Sequence, residues 1–148
     1  MGTVTATATG PIGAPAETTY RVLRDPELHR RVLPPEFSDF TVVEGDGGAG
    51  TVYTFTVTAG GRTRNYRMRV SEPNPGRTLD ETDEGSSLVT TFEVTPSGDV
   101  SSVRITTTWD GAGGIGGFFE RLFAPRALAG IYAEELRRID EVARDVDA

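Results

Sequence analysis

His29 is the only histidine in this chain of 148 residues, which holds no cysteine and no lysine. Those absences limit what side-chain chemistry is available. Without lysine there is no Schiff base and no lysine grip on a nucleotide phosphate. Without cysteine there is no disulfide, thiol nucleophile or thiolate metal site. One histidine is too few for a histidine-rich metal centre. A Ser–His–Asp arrangement is formally available, but no nucleophile elbow accompanies it. His29 lies on a short polar stretch with no acidic motif beside it, and it reads as solvated. Asp80, Glu81, Asp83 and Glu84 lack the calcium-loop spacing and read as a solvated acidic turn. The expectation is therefore no metal and no cofactor.

Two glycine patterns imitate nucleotide-binding loops. Gly45, Gly47, Gly50 and Val52 fit the kinase glycine loop, yet the lysine and the catalytic-loop motifs that a kinase needs are missing. A mobile hairpin loop is the expected reading. Gly111, Gly113 and Gly116 fit the dinucleotide fingerprint, but no parallel strand with an acidic residue follows. That stretch reads as a flexible strand-to-helix connection or a hinge at a cavity mouth.

Placing the other candidates requires the elements that carry them. Val4, Ala6 and Ala8 alternate with threonines, which predicts a strand over Thr3–Thr9. Pro15 and Glu17 open a short helix over Pro15–Leu23. Asp25-Pro26 is an N-cap followed by proline and opens a second helix over Pro26–Val32, which Pro34-Pro35 stops. Six strand-like runs follow. The Gly60-Gly61 turn sets Val57 opposite Arg64, Phe55 opposite Tyr66 and Tyr53 opposite Met68. The Gly98-Asp99 turn sets Val94 opposite Val103, Phe92 opposite Ile105, Thr90 opposite Thr107 and Leu88 opposite Trp109. A one-residue slip would scramble both faces. Asn65, Arg67, Arg69, Asp80 and Thr82 then fall on a polar outer face. The last stretch, Ile115–Val146, carries an apolar stripe of helical period, with Pro125 expected to kink or break it near Leu122 and leave a short lid-like turn before it.

An antiparallel sheet covered by one long helix leaves room for a small molecule between them. The inward residues expected to line it are Tyr53, Phe55, Arg64, Tyr66, Met68 and Leu79 on the first strands. Thr90, Phe92, Thr107 and Trp109 follow on the last strands, and Phe119, Leu122 and Tyr132 come from the helix. Arg64 has two readings: a guanidinium reaching into water near the hairpin tip, or one at the cavity mouth pairing with an acidic ligand.

The net charge of −7 and pI near 4.7 argue against nucleic acid and anionic membrane surfaces as partners. No apolar run approaches the roughly 20 residues of a membrane span, and no signal-peptide pattern is seen. A cytoplasmic chain forming one domain over residues 1–148, monomeric or weakly dimeric, is expected.

Several segments together resemble the START-like superfamily, also called SRPBCC, and its polyketide cyclase/dehydrase branch. They are Ile12-Gly-Ala-Pro-Ala-Glu17, Asp25-Pro-Glu27, the Gly45–Gly50 hairpin leading into Thr51-Val-Tyr-Thr-Phe55, Asn74-Pro-Gly-Arg-Thr-Leu79, and Gly113–Val142 as the closing helix. The resemblance implies an α+β helix-grip fold: a seven-stranded antiparallel sheet wrapped around a long C-terminal helix, with two short helices after the first strand. Such proteins share a cavity but no single catalytic set, so no catalytic residue carries over by motif. A carrier or binder of a small hydrophobic or aromatic ligand is the first functional expectation. A cyclase or dehydratase is the alternative, with Arg64 stabilising an enolate and a tyrosine or His29 moving protons. A co-chaperone-like interaction module using the outer sheet is the third.

Overall fold

The computed structural model describes residues 3–59, 61–110 and 125–148. The elements run β1 (Thr3–Ile12), α1 (Ala16–Arg24), α2 (Pro26–Val32), β2 (Phe37–Glu44), β3 (Val52–Ala59), β4 (Arg62–Asn74), β5 (Thr78–Asp83), β6 (Val89–Ser97), β7 (Val100–Asp110) and α3 (Pro125–Asp147). The seven strands form one antiparallel sheet in the order β1-β7-β6-β5-β4-β3-β2. This is the expected helix-grip architecture. Among the described residues no helix is long and apolar enough to cross a membrane.

Both hairpin registers hold. Val57 faces Arg64, Phe55 faces Tyr66 and Tyr53 faces Met68. Val94 faces Val103, Phe92 faces Ile105 and Thr90 faces Thr107, while the ladder begins at Val89 and Thr108, one step short of Leu88 and Trp109. Gly61 and Gly98 take the positive φ that these tight turns demand. β1 runs on past Thr9 to Ile12, because Gly10–Ile12 continue to pair with Ser101–Val103. Gly10 sits where β1 and α3 cross; a Cβ there would lie 3.3 Å from Leu136 Cβ, so the lack of a side chain sets the distance between sheet and helix.

Asp25 joins α1 to α2. It ends the first helix, and its carboxylate accepts from Glu27 N at 2.9 Å and Leu28 N at 3.4 Å to start the second. α3 packs against β1, α1 and α2 through Leu128, Tyr132, Leu136 and Ile139, all buried. The expected helical stretch 115–124, with Phe119, Leu122 and the predicted break near Leu122, lies outside the described residues, as does the glycine-rich connection.

The Gly45–Gly50 loop is not the free hairpin the sequence suggested. Its Ala49 N–H donates to Glu72 Oε1 at 2.8 Å, and Gly50 N–H donates to the Val70 carbonyl at 2.9 Å. Glu72 is also gripped by Arg24 at 3.3 Å and by the Tyr20 hydroxyl at 2.8 Å. Gly48, at φ +76°, lets the backbone lie against this ion pair, since a Cβ there would collide with an Arg24 nitrogen.

Candidate functional site

The inner face of the sheet follows from strand alternation, and β5 shows its consequence. From Leu79 the period of two carries Glu81 and Asp83 inward and Asp80 and Thr82 outward. The stretch read as a solvated acidic turn is thus a strand that buries two carboxyls, at 5% and 3% exposure. His29 is also corrected. α2 lays it against the sheet rather than in water, at 2% exposure, ringed by Phe40, Tyr53 and Phe92.

These residues meet. His29 Nδ1 lies 3.0 Å from the Leu23 carbonyl, which can only accept, so Nδ1 carries the proton. Burial holds the ring's pKa down to about 4, so at neutral pH Nε2 presents a lone pair. Glu81 Oε2 lies 3.3 Å from that nitrogen. Burial, aided by the nearby charge of Glu135, pushes the Glu81 carboxyl well above the usual carboxylate range. The contact has ion-pair spacing, but both groups are driven to their neutral forms. We therefore read it as a protonated carboxyl donating to imidazole. The Tyr53 hydroxyl donates to the same Glu81 oxygen. One line of hydrogen bonds then runs from Tyr53 through Glu81 and His29 to the backbone, and both side-chain contacts fall on Oε2, leaving Oε1 with its lone pairs.

A second carboxyl enters from α3. Glu135 is 2% exposed, and burial alone raises its pKa to about 8. It makes no hydrogen bond among the described residues. One turn earlier, the Tyr132 hydroxyl bonds Thr107 Oγ1, which lies 2.7 Å from Thr90 Oγ1. Burial pushes the Tyr132 phenol up, so it stays protonated.

Between these groups lies a cavity of about 40 Å³, room for a few water molecules. Its polar wall is His29, Glu81, Glu135, Tyr132, Tyr66 and Thr90; its apolar wall includes Phe37, Phe55, Met68 and Phe92. Of the residues singled out from sequence, Phe55, Tyr66, Met68, Thr90, Phe92 and Tyr132 stand on this wall. Tyr53, Leu79, Thr107 and Trp109 are buried on the same face, one layer back.

Arg64 takes neither expected role. Its guanidinium lies 3.3 Å from the Asp83 carboxylate and 4.8 Å over the Tyr66 ring, with the side chain 17% exposed. The inward turn of Asp83 draws it from water, and the pairing occupies it. The sequence reading missed Glu81 and Glu135 and discounted His29. A signal existed for each carboxyl. Glu81 alternates with Leu79, and Glu135 stands at helical spacing between Ile131 or Tyr132 and Ile139, inside the apolar stripe. No three of the described His, Asp or Glu side chains converge to hold a metal ion.

A family model described as polyketide cyclase / dehydrase and lipid transport matches residues 1–144. Among solved structures, the KanY protein, determined in solution by NMR, is 36% identical, covers 97% of this chain and 99% of its own, and superposes with a TM-score of 0.85. TTHA0849 from Thermus thermophilus is 20% identical over 98% and 100% of the two chains, with a TM-score of 0.76. Norcoclaurine synthase from Thalictrum flavum is 20% identical over 97% and 88%, with a TM-score of 0.72. The last two likenesses show the fold alone. No curated protein matches the chain. With its length matched almost end to end, this protein belongs to the polyketide cyclase / dehydrase and lipid transport family.

Proposed function

We propose that the chain binds a small, mostly apolar molecule in the cavity between the sheet and α3 and moves a proton on it, without a cofactor, in the manner of a cyclase or dehydratase. The observation that carries this reading is the Tyr53–Glu81–His29 line set into an apolar wall. A passive carrier gains nothing from burying an acid and an imidazole, which costs free energy unless the groups serve each other or a ligand. Perturbed titratable groups facing a cleft are the usual mark of acid–base work. The Glu81–His29 pair holds one proton between them. It can hand that proton to a ligand oxygen, leaving a carboxylate that the Tyr53 hydroxyl stabilises, or take one from an acidic carbon at the free Glu81 oxygen while the Oε2 proton passes to His29 Nε2, which leaves an imidazolium and an enolate. The cavity takes only a small group as it stands, so a larger substrate must spread Phe37, Leu33 and Leu128 on its wall. The outer sheet gives less support to an interaction module, because large exposed apolar side chains among the described residues are limited to Val43 and Val100.

The test is solvent deuterium exchange at the α-carbons of a small enolisable ketone, 2-indanone, followed by NMR. The wild type should accelerate exchange, and Glu81→Gln and His29→Phe should each lower the rate by about a hundredfold or more. Equal rates in wild type and both variants would overturn proton transfer and leave a carrier.

A further inference from the structure

Glu135 takes no part in the Tyr53–Glu81–His29 line, and its position calls for a partner that the described residues do not provide. It is buried to 2% exposure on the cavity wall and makes no hydrogen bond among the described residues. A buried carboxyl without a partner is costly, so its retention points to a group that arrives from outside. Resting on the reading that the cavity binds a ligand, we propose that this ligand carries a basic nitrogen, and that the Glu135 carboxyl is the group that receives it.

The charges around the cavity select for that chemistry. Facing it are His29 from α2, Tyr66 from β4, Glu81 from β5, Thr90 from β6, and Tyr132 and Glu135 from α3. No described arginine stands on the wall. Arg64 pairs with Asp83, and Arg138 is held by Glu134 at 2.8 Å on the helix surface. An anionic ligand would bring a charge into a low-dielectric space already occupied by two acids, with no cation among the described wall residues to meet it. A neutral alcohol or ketone would gain one ordinary hydrogen bond. An amine shares a proton with Glu135 in a charge-assisted hydrogen bond. The Phe55 and Phe92 rings on the wall add π surface that attracts a cation.

The proposal fixes a proton count. At pH 7 a free alkylamine is protonated and Glu135, raised by burial to about 8, is mostly protonated too. The bound pair keeps one shared proton, so binding releases close to one. His29, at about 4, stays neutral through the same range and adds nothing to the count.

The experiment is isothermal titration with three probes of one shape: 2-phenylethylamine, 2-phenylethanol and phenylacetate. Each is run in phosphate and in Tris, whose ionisation heats differ, so the difference reads the protons released. The amine should bind at least about tenfold tighter than the alcohol, with phenylacetate weakest. Amine affinity should rise by about tenfold per pH unit between roughly pH 5.5 and 7.5, as release of one proton requires. Glu135→Gln should keep the alcohol's affinity and lose both the amine preference and the proton release. Alcohol binding with no amine preference, or amine binding with no proton released by the wild type, overturns the proposal while the cavity stands as a ligand site. Failure of all three probes to bind removes the cavity reading and the proposal with it.

Discussion

Burial holds His29, Glu81 and Glu135 in their neutral forms, and this imposes a pH dependence on stability. His29 has its pKa lowered from 6.5 to about 4, so its contribution is whole above pH 6.5 and is lost as pH falls toward 4. Glu135 has its pKa raised from 4.5 to about 8, so its contribution is whole below 4.5 and is lost as pH rises through 8. Between 4.5 and 6.5 the His29 and Glu135 slopes oppose and largely cancel, leaving the Glu81 slope, along which stability falls as pH rises. Above 6.5 only the glutamate slope remains, with Glu81 adding in the same direction. Urea denaturation should therefore show stability falling by at least roughly 1 kcal/mol per pH unit from about pH 6.5 to 8. Glu135→Gln should make that limb shallower, leaving the Glu81 part, and an unchanged slope in the variant would show that Glu135 ionises freely. The conservative Tyr53→Phe change should retain the fold while removing the donor to Glu81.

At the scale of elements, the Gly45–Gly50 loop gives the sharpest test. Gly48→Ala meets both a left-handed φ and the Arg24–Glu72 pair, and should cost about 1–3 kcal/mol by thermal or chemical denaturation. A loss below a few tenths would mean the loop yields without strain. This loop also shows what was legible. The hairpins at Gly61 and Gly98 could be read because each turn aligns several apolar pairs, and each pair checks the others. The loop's anchoring could not, because it depends on Glu72, twenty-odd residues downstream, meeting Arg24 from another element. Glu81 and Glu135 were hidden for a related reason. Composition marks a carboxylate as solvated, and only the element's period, carried one step further, brings it inside. Arg64 was placed on the correct face, but its partner Asp83 came from the stretch read as a solvated acidic turn.

At the scale of the molecule, Trp109 reports on the whole inner face. It is 1% exposed at the end of β7, so its emission should lie at the short wavelengths of a buried indole and shift red on unfolding. A water-like maximum in the folded protein would contradict this packing. A cavity ligand at a hundred times its dissociation constant should stabilise the fold by about 2.7 kcal/mol, read as a rise in Tm. The pairing of β1 with β7 has a different consequence, in time rather than in energy. Thr3 meets Asp110 and Ile12 meets Ser101, so β1 finds its partner strand about ninety to a hundred residues later in synthesis. The meander from β2 to β7 closes by neighbouring hairpins, whereas β1 must wait for the last strand, and such long-range closure is slow. While it waits, Thr3–Ile12 is an uncharged, alternating segment with both edges open, the kind of strand that other chains can capture. Refolding yield should thus depend on protein concentration more steeply than stability does, and a charge introduced on the solvent face of β1, as in Thr5→Glu, should recover yield at high concentration while leaving the folded cavity untouched.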